Sequence, residues 1–310
     1  MPPPCCHTAF GLHWSSPQLP LPELPLAENG EAPRARVTLE RQASASWPFL
    51  PPGPQDTPFL RMARGDLRLE VEGVARFRVS DGERIAFEPW SGEGHPCDLR
   101  TFLLGSAVGA LLIQRGMLVL HGNALEKDGR AIVGLGPSGA GKSTTAYALM
   151  EQGWRLLADD LVAITADGLV LPGIPRIKLW HDAALAFGLD PEGLPPIRQG
   201  LRKYLLMGEA VHRAAEPVPL AALFLLQQRS APGERITRVS SQKEAALQLR
   251  NQAFRPRFVR GLGQEGPNFL ALASLQRRVP LATLPLPSSI AAMRDWLERQ
   301  DLLSGGEPTA

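Results

Sequence analysis

Between residues 66 and 90 apolar and polar side chains alternate with a period of two: Leu67, Leu69 and Val71, then Phe77 and Val79, with polar or charged residues between them. Such alternation sends one set of side chains to each face of a pleated strand. Glu72-Gly73 and Asp81-Gly82 interrupt the pattern with turn-forming pairs, so it predicts an antiparallel β-meander. Residues 98–115 are mostly apolar and predict a buried helix, with Gly116 as its C-terminal cap. The apolar stretch 103–113, flanked by Arg100 and Arg115, is too short to cross a bilayer by itself. This change of character sets a loose boundary near residue 97. It separates a β-rich region over 1–97 from a main domain over 98–303, followed by a frayed tail over 304–310.

From 117 onward the pattern becomes strand, turn, strand, loop, helix, strand. Apolar strands over 117–126 and 129–136 meet at Lys127-Asp128-Gly129. A helix over 142–152 has Ala146, Leu149 and Met150 on one face and is closed by Gly153; the next strand covers 154–158. A hairpin over 161–172 turns at Ala166-Asp167-Gly168. A buried strand over 219–227, helices near 241–253, 268–277 and 288–299, and a strand near 281–286 complete an α/β pattern. The first sixty residues are broken by Pro17, Pro20, Pro22, Pro25, Pro48, Pro51, Pro52, Pro54 and Pro58, and predict extended segments between turns.

The strongest chemical signal is Gly136-Pro137-Ser138-Gly139-Ala140-Gly141-Lys142-Ser143, which matches G-x-x-x-x-G-K-[ST] between a predicted strand and a predicted helix. The glycines let the backbone turn tightly and aim its N–H groups at phosphate oxygens, and the helix N-terminus adds positive partial charge. Lys142 is the counter-charge for the β and γ phosphates of ATP, Ser143 is a ligand for Mg²⁺, and Thr144 follows in the binding segment. The second signal is Asp159-Asp160 at the end of the strand that follows this helix. Neighbouring residues of a strand point to opposite sides, so one carboxylate is free to serve the metal and the other the nucleophile. Asp160 is the first choice for the metal and Asp159 for the base, with the reverse order left open. His121 ends the strand beside the loop. Arg176, Lys178, Arg198, Arg202 and Lys203 lie in basic loops after the core; Arg250, Arg255, Arg257 and Arg260 read either as a dock for an acidic peptide or as solvated surface.

Composition narrows the classes. The chain has 310 residues, 44% hydrophobic and 21% charged, which excludes a disordered tail, a collagen-like repeat and a disulfide-stapled miniprotein. A net charge of +2 does not suit a nucleic-acid binder, although the last 110 residues hold 15 basic against 9 acidic side chains. Arginine outnumbers lysine, 28 to 5. Three cysteines, Cys5, Cys6 and Cys97, form no framework and fit a reducing compartment. Cys5-Cys6-His7 lacks a second half at ligand spacing and reads as part of a frayed tip. With no basic and apolar leader, and no membrane span, a cytoplasmic protein is expected.

Together, His121-Gly122, the 136–143 loop and the run Gly153-Trp154-Arg155-Leu156-Leu157-Ala158-Asp159-Asp160 resemble the C-terminal kinase domain of the HPr serine kinase family. The specific likeness covers about 117–165, with a weaker continuation through 176–180 and 220–226. It implies an α/β P-loop kinase core related to phosphoenolpyruvate carboxykinase, behind a β-rich N-terminal region. It also implies phosphoryl transfer from ATP, with Mg²⁺, to a serine of a peptide or small protein, with His121 near the transferred phosphate. Thr144 stands where that family usually has a glutamate, its downstream phosphorylase signature has no counterpart here, and residues 1–97 differ from its usual N-terminal domain. The chain is more similar to the HPr-kinase-like enzymes that accompany peptide-modification gene clusters, including those acting on lasso-peptide precursors. Reversal by inorganic phosphate is therefore not expected. A kinase for a small metabolite and a nucleotide-binding regulatory module are the alternatives, and a homo-oligomer is left open.

Overall fold

The computed structural model describes residues 6–27, 35–90, 95–228 and 234–305. Seven strands form the first sheet: β1 (Cys6–Ala9), β2 (Leu12–Ser15), β3 (Arg36–Arg41), β4 (Leu60–Ala63), β5 (Asp66–Val71), β6 (Ala75–Ser80) and β7 (Arg84–Pro89), in the order β1-β2-β3-β7-β6-β5-β4. The expected meander is β5–β6–β7, antiparallel throughout. Its alternating apolar side chains Leu67, Phe77, Val79 and Ile85 are fully buried. Asp81 and Gly82 both adopt left-handed backbone in the β6–β7 reversal, a conformation that Gly and Asp tolerate. The expected frayed tip is corrected for Cys6 and His7. They belong to β1, where strand pairing to β2 and a hydrogen bond between His7 Nδ1 and the Leu24 carbonyl (3.0 Å) hold them; Cys5 lies outside the described residues.

The apolar helix spans Pro96–Gln114 as α1 (Pro96–Phe102) and α2 (Val108–Gln114), joined by a π-helical turn at Leu103–Ala107. His95 caps it, with the side chain accepting from the Cys97 N–H. By length and composition alone the whole helix could cross a membrane, but most of it is buried inside the protein. Leu103, Ala107, Leu111 and Leu112 pack in one core with Val37, Phe77 and Ile85 of the first sheet and with Val119, Leu161 and Phe254 from later in the chain. Gly109 is required by a close approach: a Cβ there would lie 2.2 Å from the ring of Phe254.

The larger sheet contains β8 (Leu118–Leu120), β9 (Gly122–Lys127), β10 (Arg130–Leu135), β11 (Arg155–Asp159), β12 (Val162–Ile164), β13 (Leu169–Val170), β16 (Val218–Gln228), β17 (Thr237–Arg238) and β18 (Leu281–Leu286). Its order is β11-β9-β10-β16-β13-β12-β8, with β18 parallel to β16 and β17 beside β18. A separate hairpin pairs β14 (Arg176–Trp180) with β15 (Lys203–Met207), and α4 (His181–Ala186) lies between them in sequence. One face of the large sheet packs on α3 (Lys142–Glu151) and α8 (Ile290–Glu298), around Leu125, Ile132, Leu149 and Met293. The core on the other side takes in α5 (Gln242–Asn251) and α7 (Glu265–Arg278) through Leu249, Leu272 and Leu275, with α6 (Pro256–Gly261) between them in the chain.

Two expectations change here. The strand over 117–126 is two strands broken at His121, because β8 leaves to pair with β12 while β9 pairs with β10 and β11. At the break a side chain on Gly122 would lie 2.5 Å from the Gly134 carbonyl oxygen. At the other end of the chain, Ser304 and Gly305 are not frayed: their carbonyls accept from the Arg238 guanidinium at 3.0 and 3.1 Å. Residues 306–310 lie outside the described residues.

Candidate functional site

The 136–143 loop leaves β10 at Leu135 and enters α3 at Lys142. Gly136, Gly139 and Gly141 all have positive φ, and a Cβ on Gly136 would lie 2.9 Å from the Ala140 methyl. The turn therefore depends on glycine for both backbone conformation and space. Pro137 and Ala140 close it through an N–H···O bond of 3.1 Å. Lys142 is buried, and its Nζ donates to the carbonyls of Gly136 (2.8 Å) and Pro137 (2.9 Å). Burial lowers its pKa, while Asp160 and Asp159 pull it back up. Beneath the loop, the buried Asn123 side chain donates to the Lys142 carbonyl and fixes the first turn of α3 against β9. Sequence reading passed over Asn123, since a polar residue in an apolar strand carries no motif.

The paired aspartates separate as strand geometry requires. Asp159, the last residue of β11, turns its carboxylate toward α3, where Ser143 Oγ donates to both oxygens at 3.1 and 3.3 Å; the backbone N–H of Lys178 adds a third donor at 3.1 Å. Asp160 lies in the left-handed region at φ +69, and this sharp step redirects its side chain to Lys178 Nζ, with which it forms an ion pair. Burial pushes the Asp159 carboxyl up, and the charge of Asp160 pushes it further, to about 6. Burial acts in the same direction on Asp160, but the ammonium groups of Lys178 and Lys203 outweigh it and hold Asp160 below the usual carboxylate range.

His121, at the break between β8 and β9, reaches the same place. Its Nδ1 lies 3.2 Å from the Asp160 carbonyl oxygen. Burial, then the nearby Lys142 charge, lowers its pKa and favours the neutral ring. Lys178 and Lys203 are not loop residues as expected; they sit on β14 and β15, and pairing of these strands carries both into the cleft. Lys203 Nζ lies 5.3 Å from the centre of the Trp180 ring. Arg176, two residues before Lys178 on β14, lies 3.8 Å from buried Glu23 and does not line the cleft, Arg198 stacks near Phe102, and Arg202 contacts His181. None of these three lines the cleft, although the charge of Arg176 is felt by Asp159 and Asp160.

The cleft has a volume of about 550 Å³. It is lined by the loop and α3, by His121, Asp160 and Lys178, and by Trp180 with the 286–290 segment at the start of α8. Ser138, Gly139, Gly141, Ser143 and Thr144 line it directly. Such a space, lined by the glycine loop, the three lysines Lys142, Lys178 and Lys203 and the carboxylates of Asp160 and Asp182, suits a polyanion together with a hard cation. Among the described residues there is no group of three or more His, Cys, Asp or Glu side chains that could hold a metal, so a cation here would depend on the Ser143 hydroxyl, Asp159 and ligand oxygens.

No family model matches the chain. A segment is similar to the HPr kinase/phosphorylase of Treponema pallidum (strain Nichols), 52% identical over 48 residues, 16% of this chain and 15% of that protein. The protein of the same name from Caldanaerobacter subterraneus subsp. tengcongensis is 45% identical over 51 residues, 16% of this chain and 17% of its own. That from Clostridium botulinum (strain Eklund 17B / Type B) is 41% identical over 61 residues, 19% and 20% respectively. The chain thus matches about a sixth to a fifth of the length of these curated relatives, which supports an HPr-kinase-like relation without a subtype.

Proposed function

We propose that this chain is an ATP-dependent kinase with a P-loop core related to that of the HPr kinase C-terminal domain and of phosphoenolpyruvate carboxykinase. Its acceptor is a serine hydroxyl of a peptide or small protein. The observation that carries this reading is the convergence of Lys142, Ser143, Asp159, Asp160 and Lys178, through three separate elements, on one cleft behind a glycine loop.

The loop N–H groups and Lys142 hold the phosphates of ATP. Ser143 and Asp159 would hold Mg²⁺, since the hydroxyl and the carboxylate already face each other; the cation would neutralise phosphate charge. This reverses the first choice made from the sequence, because Ser143 contacts Asp159 and not Asp160. Asp160 then receives the acceptor hydroxyl. Its ion pair with Lys178 keeps it ionised, so it acts chiefly by orienting the hydroxyl oxygen toward the γ-phosphorus and accepts the proton as the new O–P bond forms and ADP departs. Neutral His121 donates no charge of its own and supports the backbone of Asp160 from below.

The test is Lys142→Ala. Purified variant and wild type are mixed with γ-labelled ATP, Mg²⁺ and serine peptides encoded beside the gene. Transfer should fall by roughly 10²–10³-fold on loss of one preorganised charge at the phosphates, with an unchanged melting temperature. Wild-type turnover by the folded variant would remove the assignment of this loop. Transfer to small metabolites and to no peptide would move the acceptor to the metabolite class.

A further inference from the structure

The arginines at 250, 255, 257 and 260 do not behave as one patch. Arg257 is engaged by the N-terminal region, donating to the carbonyls of Gln55 (2.9 Å) and Asp56 (3.3 Å). Arg250, Arg255 and Arg260 are exposed, and among the described residues none of them forms an ion pair with a carboxylate. Arg250 and Arg260 flank a groove of about 390 Å³ between α5, α6 and α7, whose apolar walls include Ala253, Val259, Phe269 and Leu272. Phe269 is 63% exposed, an unusual state for a phenylalanine on a helix.

The groove is not isolated from the cleft. A second cavity, about 520 Å³, lies between the 251–255 connector and the Gly136-Pro137 corner of the loop. Ala253 lines both this cavity and the groove, and His121 lines both this cavity and the main cleft. The three spaces are thus neighbours, meeting at His121 and at Ala253. The connector along them is held firmly. The His121 N–H donates to the Gln252 carbonyl and the Phe254 N–H to the Val119 carbonyl, both at 2.8 Å, and Phe254 fills the space above Gly109. Arg255 pays for this course in backbone strain: it has φ +43 and ψ 74, and its guanidinium stacks over Phe254 and Phe258 at 5.6 and 5.3 Å. Strain of this kind persists where surrounding contacts impose it, and it gathers at binding sites.

We infer that the groove and its adjoining cavity dock the flank of the phosphorylated peptide, with acidic side chains on Arg250, Arg255 and Arg260 and an apolar side chain against Phe269 and Leu272. The inference rests on the kinase reading above and names the substrate class for it. Charge complementarity selects the occupant: Arg250 and Arg260 line the groove and Arg255 the adjoining cavity, none of them in an ion pair among the described residues, and the one carboxylate lining the groove is Glu265. The concave shape and the nearness to the phosphate loop favour an extended peptide over a membrane or a nucleic acid.

The experiment measures anisotropy of two short fluorescein-labelled serine peptides without nucleotide. In one, Glu alternates with Leu beside the serine; in the other, Lys replaces Glu. Wild type should bind the Glu peptide about tenfold or more tightly than the Lys peptide, and R250E/R260E should invert that preference, as expected for reversing two charge contacts. Phe269→Ser should weaken both peptides. Equal binding of the two peptides, no inversion in the double variant, or displacement by single-stranded RNA or anionic phospholipid vesicles at lower concentration than by unlabelled peptide would overturn the dock. Mg·ATP is then added. Phosphorylation without charge preference would overturn the dock and leave the kinase reading standing. Charge-selective binding with no phosphorylation of the bound peptide would overturn the kinase reading and, with it, the substrate role of the groove.

Discussion

In the N-terminal sheet Val37, Leu39, Phe77 and Ile85 are fully buried, and Val133, Leu135, Ala158 and Leu223 are fully buried in the larger one. The two sheets differ in where they keep their charges. On the first, Arg76 pairs with Glu70 and Glu88 in a network about one-third exposed on every member, where water screens each pair. At the end of the second, Lys142, Asp159, Asp160 and Lys178 are desolvated together, so each alters the proton affinity of its neighbours. Exposed pairs add little to stability, and their loss is tolerated. A buried cluster costs stability in the free protein, and such clusters gather at ligand sites. The contrast sets the cleft apart as the candidate site and is what the proposed function builds on. One buried charge sits between the two: Glu23, from the N-terminal segment, accepts from Arg100 Nε at 2.9 Å and lies 3.8 Å from Arg176, two residues before Lys178.

The contrast is broken most sharply at Asp160. Asp160→Asn should lower turnover by roughly 10²–10⁴-fold while Mg·ATP still binds, as expected when a positioned proton acceptor is lost. Asp159→Asn should weaken Mg·ATP binding itself. Nucleotide titration of both variants, with and without Mg²⁺, separates the roles; wild-type binding and turnover in both would reduce the aspartates to turn residues.

Glu23→Gln comes next. Removing the charge leaves buried Arg176 without its carboxylate, which should cost on the order of 2–3 kcal/mol in urea unfolding and raise the peptide KM or lower kcat by less than the Asp160 variant. If the unfolding midpoint stays at the wild-type value, the link between the regions is not an energetic one.

A smaller effect appears with pH. Asp159 has its pKa raised from 3.8 to about 6, so the folded state binds that proton more tightly than the unfolded chain. Without divalent cations, its contribution to stability should therefore fall as pH rises from about 4 to about 6. Asp159→Asn lacks this titration. Its stability relative to wild type should climb across the same window, by on the order of 1–2 kcal/mol. Parallel melting curves at pH 4.5 and 7 check the sign; a constant difference would show that Asp159 is not held in a desolvated state.

The smallest change sharpens the meander side. Arg76→Ala, on the exposed face of the meander, should alter stability by less than about 1 kcal/mol and leave turnover unchanged. A loss of transfer in this variant would give the N-terminal sheet a part in the chemistry that its charge distribution does not suggest.

Much of this molecule is legible along the chain because its causes are local. The 66–90 alternation becomes β5–β6–β7, and the 161–172 hairpin becomes β12–β13, since each strand's partner follows within a few residues. The glycine loop is readable for the same reason: its turn, its lysine and the helix that follows depend on consecutive residues with special backbone needs. Asp159 and Asp160 could be singled out, but not told apart. Their difference arises from Ser143 and Lys178, which lie 16 and 18 residues away in opposite directions along the chain.

Local sequence was enough for the 66–90 meander, the 161–172 hairpin, the glycine loop and the residue types that a phosphate site needs. Which of those residues meet is set by long-range packing. Pairing of β14 with β15 brings Lys178 and Lys203 into the cleft, while Arg176 on the same strand as Lys178 is held by Glu23 short of its lining, although all three read alike as basic residues after the core. Asn123 matters because α3 lies across β9, Glu23 because residues 77 positions apart close an ion pair, and His121 because β8 and β9 part company at that residue. In each case a buried charge or amide takes its meaning from partners supplied by other elements, and packing of the whole chain chooses those partners.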